Sequence, residues 1–361
     1  MLTAGQGTGS YRIMQKRPLK IAFALKEVTY VKSFMPLIRL WEPGSEIVVF
    51  VFRRNEKLTS PVRNREALRV LDPYETVWYE TAADVVQGCR ERGIPNLVSL
   101  EGEPFQDESN EDPGLNVIVI THMVDFTRTL PWFYDDVTHV LFHSRYMTEG
   151  LEFEDRDGKF HYTGYPQYLV LPSLDRQATL KKYGLPLDRP VVCILGPKKM
   201  FYRETYRVLR ALRDYARKRG LFLAYKTRRK DRVSPYLWWL LRKDRYLYDV
   251  SYFPPTSLEL IHASDLVINF DSTGIQEILM LEKKVVNFYT KHYRFMTGIY
   301  REESIPDLGL DIPREALFRV LDETCGADLA DAMATLKSKY FMHEDEVREN
   351  LLRFKEQHLK P

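Results

Sequence analysis

Short apolar runs alternate with amphipathic segments along the first half of the chain. Two segments, residues 31–41 and 82–92, repeat their apolar residues at helical spacing, and Gly93 is a normal stop signal for the second. The strand-sized runs between and around them are rich in β-branched residues; they are residues 19–25, 46–52, 76–79, 116–121 and 138–142. Continuous apolar strands alternating with helices are typical of a parallel sheet covered on both faces.

A proline-rich seam at residues 163–190 separates this half from a second half with the same alternation. The predicted strands beyond it are residues 191–195, 221–225, 249–252, 266–269 and 284–288, and the predicted helices are residues 204–219, 234–242, 257–263, 273–281, 314–323 and 344–358. We therefore predict an α/β protein with two Rossmann-like, doubly wound parallel-sheet domains that face each other across a cleft.

Changes in the pattern set the domain boundaries. Residues 1–17 are polar and glycine-rich and are predicted to form a flexible arm. The N-terminal domain is then residues 18–175, and the C-terminal domain is residues 176–342. The last segment, residues 343–361, is predicted to be a helix that packs back towards the N-terminal domain.

Composition narrows the class of protein. The 361 residues include 53 Lys and Arg and 50 Asp and Glu, so the net charge of +3 argues against a dedicated nucleic-acid binder. The three cysteines, Cys89, Cys193 and Cys325, show no C-x-x-C spacing, which disfavours a structural zinc site or a disulfide scaffold. No run is apolar enough to span a membrane. We expect a cytoplasmic protein, and the basic, aromatic stretch 291–301 leaves peripheral contact with the inner membrane face open.

The most informative polar cluster follows the predicted strand 266–269. Asp271, Ser272, Thr273 and Gly274 precede a predicted helix that contains Glu277. Hydroxyl groups, together with the unpaired N–H groups of a first helical turn, suit a phosphate or pyrophosphate. The same residues also fit plain N-capping with no ligand.

The segment ASDLVINFDSTGIQEILMLEKKVVNF, residues 263–288, resembles the donor-binding segment of GT-B glycosyltransferases. Within that fold, it looks closest to CDP-glycerol glycerophosphotransferases and other capsule and surface-polysaccharide transferases, and UDP-N-acetylglucosamine 2-epimerases share the fold. Residues 139–152 and 162–199 agree with the resemblance. It implies that residues 271–274 hold the donor diphosphate and that Glu277 meets a ribose or sugar hydroxyl. Glu282 and Lys284 depart from the family's pattern.

Cations at two predicted strand ends are further candidates for donor binding. Lys198 and Lys199 follow strand 191–195, and Lys226 and Arg228 follow strand 221–225. The related transferases often carry a histidine in the second of these loops, and this chain has none there. Either pair fits solvated surface charge equally well. Since H-E-x-x-H is absent, we expect no metal site and no cofactor, with these cations and helix amides neutralising the leaving diphosphate.

Candidates for a general base lie at strand ends of the N-terminal half. Glu27 follows strand 19–25, His122 and Asp125 follow strand 116–121, and His143 follows strand 138–142. An inverting transfer needs a group that removes the acceptor hydroxyl proton, and a histidine or carboxylate serves. Asp125 could orient His122, whereas each residue alone also fits a structural role.

Together these features predict a metal-independent GT-B glycosyltransferase. It would move a sugar or polyol-phosphate from a nucleotide-activated donor to a glycan or lipid-linked acceptor, in surface-polysaccharide or glycoconjugate synthesis. Two alternatives stay open. A nucleotide-sugar 2-epimerase would need several carboxylates at the N-terminal strand ends. A non-catalytic nucleotide-sugar-binding module would explain the missing loop histidine.

Overall fold

Two parallel β-sheets organise the chain. The computed structural model describes residues 18–53, 69–102, 114–122, 134–149, 154–197, 202–227, 235–240, 244–289 and 299–361. The strands are β1 Leu19–Leu25, β2 Ser45–Phe52, β3 Glu75–Tyr79, β4 Asn96–Leu100, β5 Asn116–Ile120, β6 His139–Phe142, β7 Phe160–Tyr162, β8 Val191–Leu195, β9 Phe222–Lys226, β10 Arg245–Leu247, β11 Leu266–Asn269, β12 Val285–Tyr289 and β13 Asp307–Gly309.

Helices connect these strands and flank the sheets. They are α1 Val31–Trp41, α2 Ala82–Arg92, α3 Arg176–Tyr183, α4 Tyr202–Arg219, α5 Pro235–Leu240, α6 Thr256–Ala263, α7 Ile275–Met280, α8 Arg314–Gly326, α9 Ala330–Tyr340 and α10 Glu344–His358. Local signals explain their limits: Thr81 and Asp84 form a capping box at the start of α2, and Gly93 ends it with a φ of 59°.

Each sheet is doubly wound. The first has the order β3-β2-β1-β4-β5-β6-β7 and the second the order β10-β9-β8-β11-β12-β13, with parallel pairing throughout. The predicted fold class is thereby confirmed. In such sheets the strand order reverses at a switch point, and ligands bind outside the carboxyl ends of the strands there. The switch points lie between β1 and β4 and between β8 and β11.

The sequence patterns missed several short elements. Strand β4 is five residues long and lies at the centre of the first sheet, where its polar Asn96 and Ser99 are fully buried. Strands β7 and β13 are three residues each, and α9 was not predicted at all. The predicted strand at 249–252 is wrong, because β10 lies earlier, at Arg245–Leu247. The sequence pattern also predicts a helix at residues 64–71, of which only the last three positions, 69–71, lie within the described residues, where they form a 3₁₀ turn.

The connection between the sheets is packed rather than extended. Residues Pro166–Ser173 form a 3₁₀ helix that contacts α1 and α10, and Tyr168 is buried. One hydrophobic cluster runs from the first sheet through this segment to α6, α7 and α9, while a second fills the space between the other face of the second sheet and α4 and α8. The two sheets therefore share a continuous core.

Helix α10 returns to the N-terminal sheet. The indole N–H of Trp41 donates to the carbonyl oxygen of Leu351 at 3.1 Å. The buried Lys355 ammonium donates to the carbonyl oxygens of Trp41 and Pro43 at 2.6 and 2.7 Å. These carbonyls belong to the end of α1 and the turn after it, where no intrahelical donor is available. Helix α10 thus supplies hydrogen-bond donors to carbonyl groups at and after the C-terminal end of α1.

Replacing this ammonium tests how firmly α10 is held. We expect Lys355→Met to keep the apolar packing of the stem but to lower the free energy of unfolding by about 2 kcal/mol, because two carbonyls lose a charged donor. Urea unfolding monitored by fluorescence measures the loss. Arg353→Met removes an exposed cation from the same helix and should change stability by less than about 0.5 kcal/mol. Equal stabilities for the two variants would contradict the assignment.

Candidate functional site

The carboxyl ends of the two sheets face each other, and side chains bridge the space between them. The Gln276 amide, on α7 of the second sheet, donates to the carbonyl oxygen of His122 at 2.9 Å, and His122 follows β5 of the first. The Lys32 ammonium, near the start of α1, lies 3.7 Å from the Glu277 carboxylate. The predicted donor segment and the predicted base therefore border one cleft.

A buried ladder of polar side chains holds the loop that follows β11. Asn269, Asn287 and Asp307 are register partners at or near the ends of β11, β12 and β13. The Asn269 amide donates to Asn287 Oδ1 at 2.8 Å, and the Asn287 amide donates to Asp307 Oδ1 at 2.7 Å. Asn287 Oδ1 also accepts the backbone N–H of Asp271 at 3.2 Å. The ladder thus fixes where the loop leaves the sheet.

The loop itself is a tight turn. Asp271 has a φ of 48°, in the left-handed region that Asp tolerates better than most residues, and its side chain is buried. Ser272 and Thr273 stay partly exposed. A Cβ on Gly274 would lie 2.6 Å from a Leu195 methyl carbon, so the buried Leu195 side chain would have to shift to accommodate a larger residue there. Of the predicted donor loop, the two hydroxyl residues face the cleft most openly.

The predicted role of helix amides in this loop is wrong for three residues. The N–H of Gly274 donates to Ser272 Oγ, that of Ile275 to the Ser272 carbonyl, and that of Gln276 to the Thr273 carbonyl. Helix α7 is also only six residues long, and its side chains are all buried. These three amides are occupied within the turn, so the Ser272 and Thr273 hydroxyls are the stronger candidates for donors to a ligand.

The predicted donor cations divide into two groups. Lys226, at the end of β9, is an ion-pair partner of Asp249 at 2.7 Å, and both side chains are mostly buried. Its charge is therefore balanced within the protein, which weakens its predicted role in binding phosphate. Lys198, Lys199 and Arg228 lie outside the described residues. Glu277 is only 3% exposed and faces Lys32.

The N-terminal side of the cleft contains a carboxylate that the sequence analysis missed. Glu101 follows the unpredicted strand β4, and its Oε1 accepts the backbone N–H of His122 at 3.3 Å. The signal that would have found it is the short strand 96–100. Glu27 follows β1 on the other side of the switch point and accepts a hydrogen bond from the Thr29 hydroxyl. Asp125 lies outside the described residues.

The environment of His122 keeps its imidazole neutral. Burial lowers the pKa of His122 well below 6.5, and the positive charge of Lys32 and the nearby His143 lower it further. Its Nδ1 is buried and makes no hydrogen bond within the part of the chain that the structure describes. Lys32, which the sequence analysis also missed, is thus the cation that faces both His122 and Glu277. A neutral imidazole is the form that accepts a proton.

His143 has a structural role. It is fully buried, and its Nε2 lies 2.8 Å from the carbonyl oxygen of Thr121. Its ring packs against Tyr165 and Phe341, with centroids 4.2 and 6.4 Å away. Burial lowers the pKa of His143 to about 4. His143 thus packs against the linker and against the segment between α9 and α10. Of the two histidines, His122 is the one that remains a candidate base.

Comparisons with solved structures identify the arrangement as the GT-B fold. A putative UDP-N-acetylglucosamine 2-epimerase from Listeria monocytogenes matches with a TM-score of 0.63 and 10% identity, over 95% of this chain and 98% of that one. The Methanocaldococcus jannaschii UDP-GlcNAc 2-epimerase, in complex with UDP-GlcNAc and UDP, matches with a TM-score of 0.60 and 11% identity, over 94% and 100%. Acinetobacter baumannii MurG matches with 0.56 and 10%, over 93% and 100%.

Searches by sequence add nothing to this likeness. No family model and no curated protein matches the chain. None of the helices in the described ranges has both the length and the apolarity needed to cross a bilayer. The stretch 291–301, for which membrane contact was considered, lies outside the described residues except for its last three positions.

Removing the centre of the polar ladder should release the loop. We expect Asn287→Ala to lower the free energy of unfolding by about 2–4 kcal/mol, because the buried Asn269 and Asp271 and the partly buried Asp307 each lose a hydrogen bond. Hydrogen exchange at the Asp271 amide should also become faster. Asn116→Ala removes a buried amide from the other sheet and should cost stability without changing that exchange rate. If the hydrogen-exchange rate of the Asp271 amide is the same in Asn287→Ala as in the wild-type protein, the ladder does not hold the loop.

Proposed function

We propose that the protein binds a nucleotide-activated sugar in the cleft and transfers the sugar to an acceptor hydroxyl. The observation that carries this proposal is the hydrogen bond from the Gln276 side chain, on α7, to the carbonyl oxygen of His122, which links the segment after β11 to the segment after β5. Both segments lie at the carboxyl edges where doubly wound sheets bind ligands. The GT-B fold of nucleotide-sugar enzymes supports the same substrate class.

The diphosphate of the donor would lie against the loop after β11. The Ser272 and Thr273 hydroxyls would donate hydrogen bonds to phosphate oxygens, and Gly274 would let the loop approach β8 closely. Lys32 would supply positive charge from the opposite side of the cleft. Since Lys32 already faces Glu277, an anionic ligand would compete with that carboxylate for the ammonium. Glu277 would then be available to a ribose or sugar hydroxyl, as the resemblance implies.

In the transfer step, the acceptor oxygen attacks the anomeric carbon and the bond from that carbon to the diphosphate oxygen breaks. The nucleoside diphosphate leaves with the electron pair, and His122 takes the acceptor's hydroxyl proton. A bound diphosphate raises the pKa of a nearby imidazole, because negative charge favours the protonated form. The low pKa of His122, which burial and the neighbouring Lys32 cause, is therefore compatible with a base that strengthens when the donor binds. The acceptor would be a glycan or a lipid-linked sugar.

A nucleotide-sugar 2-epimerase is the second candidate, and Glu101 is the specific observation that favours it. Epimerisation needs groups that remove and return a proton at a sugar carbon. With Glu27 and His122, Glu101 gives the N-terminal edge two carboxylates and an imidazole around its switch point. Several of the similar solved structures are UDP-N-acetylglucosamine 2-epimerases. The two candidates share the donor site and differ in whether an acceptor is needed.

Nucleotide binding tests the donor site directly. We expect at least one of a panel of UDP-, GDP-, CMP- and CDP-linked sugars to raise the midpoint of thermal unfolding, since a ligand that binds only the folded protein stabilises it. Ser272→Ala combined with Thr273→Ala should abolish that shift. Thr335→Ala combined with Ser338→Ala removes two exposed hydroxyls from α9 and should leave it intact. A full shift in the loop variant would rule out the assigned pocket.

Product analysis then separates the two reactions. With the bound donor, transfer requires an added acceptor, whereas epimerisation yields a new sugar isomer without one. For transfer, we expect His122→Gln to lower turnover by about 10²–10⁴-fold, because the proton acceptor is lost, while donor binding stays unchanged. Glu101→Gln should have the larger effect if the product is an epimer. His343→Gln, at an exposed position, is the control. Full turnover in His122→Gln would exclude it as the base.

A further inference from the structure

Three histidines from distant parts of the chain meet outside the cleft. His139 begins β6, His161 is the middle residue of β7, and His358 ends α10. One ring nitrogen from each lies within 4.8 Å of those of the other two. Because His139 is at the amino end of β6 and the cleft lies at the carboxyl ends, this cluster is on the opposite edge of the sheet. It is separate from the proposed donor site.

The topology explains why these rings converge. Strands β6 and β7 are parallel neighbours, with Leu141 paired to His161. His139 and Leu141 are two residues apart, so His139 and His161 point to the same face of the sheet. Helix α10 covers that face and ends there with His358. The ring centroids of His139 and His161 lie 4.8 Å apart, and that of His358 lies 4.8 and 4.5 Å from them.

The contacts within the cluster bring ring nitrogens together beside an apolar side chain. His139 Nδ1 and His161 Nε2 are 2.9 Å apart, so one ring donates a hydrogen bond to the other, and a bound cation would take the place of that shared proton. The Phe354 ring lies 5.3, 5.0 and 4.9 Å from the rings of His139, His161 and His358 and forms an apolar wall. An apolar wall around imidazole ligands restricts water and is a feature of metal sites.

The surroundings of the cluster suit a cation held by imidazoles. His139, His161 and His358 are all partly buried, and neutral imidazole is the form that binds metal. The charges nearest to them are mixed. Lys159 and Lys360 face His139, while the Asp155 carboxylate faces His161. Asp155 is anchored by the backbone N–H groups of residues 159 and 160 and can act as the outer carboxylate that histidine ligands commonly have.

We propose that His139, His161 and His358 form a binding site for Zn²⁺, with water at a fourth position. Imidazole suits borderline divalent ions of this class, and tetrahedral Zn²⁺ takes nitrogen ligands at about 2.0–2.1 Å. Such an ion needs ligand nitrogens about 3.4 Å apart. The present separations, between 2.9 and 4.8 Å, reach that value through small rotations of the rings.

The bound ion would link the end of α10 to β6 and β7, because each of the three elements provides one ligand. It would therefore stabilise the return of the C-terminal helix to the N-terminal sheet, since an ion that binds only the folded state adds its binding energy to stability. The sequence analysis expected no metal site because no ligand motif is present. The three ligands stand 22 and 197 residues apart, and only the fold brings them together.

Zinc binding to the full-length protein tests the proposal. After treatment with EDTA and dialysis, equilibrium binding should give one saturable Zn²⁺ site per chain and a higher midpoint of thermal unfolding. His161→Gln combined with His358→Gln should weaken this site by at least about 100-fold. His262→Gln combined with His343→Gln, two histidines outside the cluster, should leave it unchanged. The proposal fails if the wild-type protein has no saturable site, or if the cluster variant binds as tightly as the control.

A spectroscopic measurement on the wild-type protein covers the case in which the cluster variant does not fold. Co²⁺ added to the metal-free protein should give the intense visible absorption of tetrahedral nitrogen ligation, and Zn²⁺ should displace it. A spectrum typical of octahedral, water-rich Co²⁺ would overturn the assignment. Because donor binding uses the opposite edge of the sheet, the nucleotide-induced thermal shift should be present with and without Zn²⁺.

Discussion

The cleft depends on how the chain crosses between its two sheets. Parallel pairing places all strand carboxyl ends of a sheet at one edge, but nothing in that pairing makes two such edges face each other. Here the linker helix Pro166–Ser173 and α10 both pack against α1, and a continuous apolar core joins them to α7. The contacts from Gln276 to His122 and from Lys32 to Glu277 follow from this packing.

Two lysines near the cleft already have carboxylate partners within the protein. Lys226 is held by Asp249, and Lys32 lies beside the almost fully buried Glu277. A buried ion pair contributes little net stability, but breaking it by removing one partner is costly. Among the described residues, an anionic ligand would compete with one of these carboxylates or accept hydrogen bonds from hydroxyl groups. This pairing also agrees with a chain whose net charge is only +3.

Hydrophobic patterning was sufficient to predict the fold class, and it failed where elements are short or polar. Helices α1, α2 and α10 were predicted with their observed limits, because their apolar spacing is regular and their ends carry clear signals. Strand β4 was missed because Asn96 and Ser99 interrupt its apolar run, and Glu101 was missed with it. The prediction that Ser272 and Thr273 bind the donor came from their position before a helix. Lys32 and the three-histidine cluster depend on contacts between distant segments, which no local pattern encodes.

The last residues of the chain also finish the first sheet. The side-chain amides of Asn96 and Asn116, at the starts of β4 and β5, donate to the carbonyl oxygens of Lys360 and His358. Both amides are buried, and leaving such groups without partners is costly. Each amide also has one partner within the N-terminal sheet, since Asn96 donates to the Lys20 carbonyl oxygen and Asn116 donates to Asn96 Oδ1. During synthesis on the ribosome, the N-terminal sheet emerges before residues 358–360, so the hydrogen bonds to Lys360 and His358 form only after the C-terminal sheet has been made. The full set of hydrogen bonds at this edge of the first sheet is therefore completed after synthesis of the second.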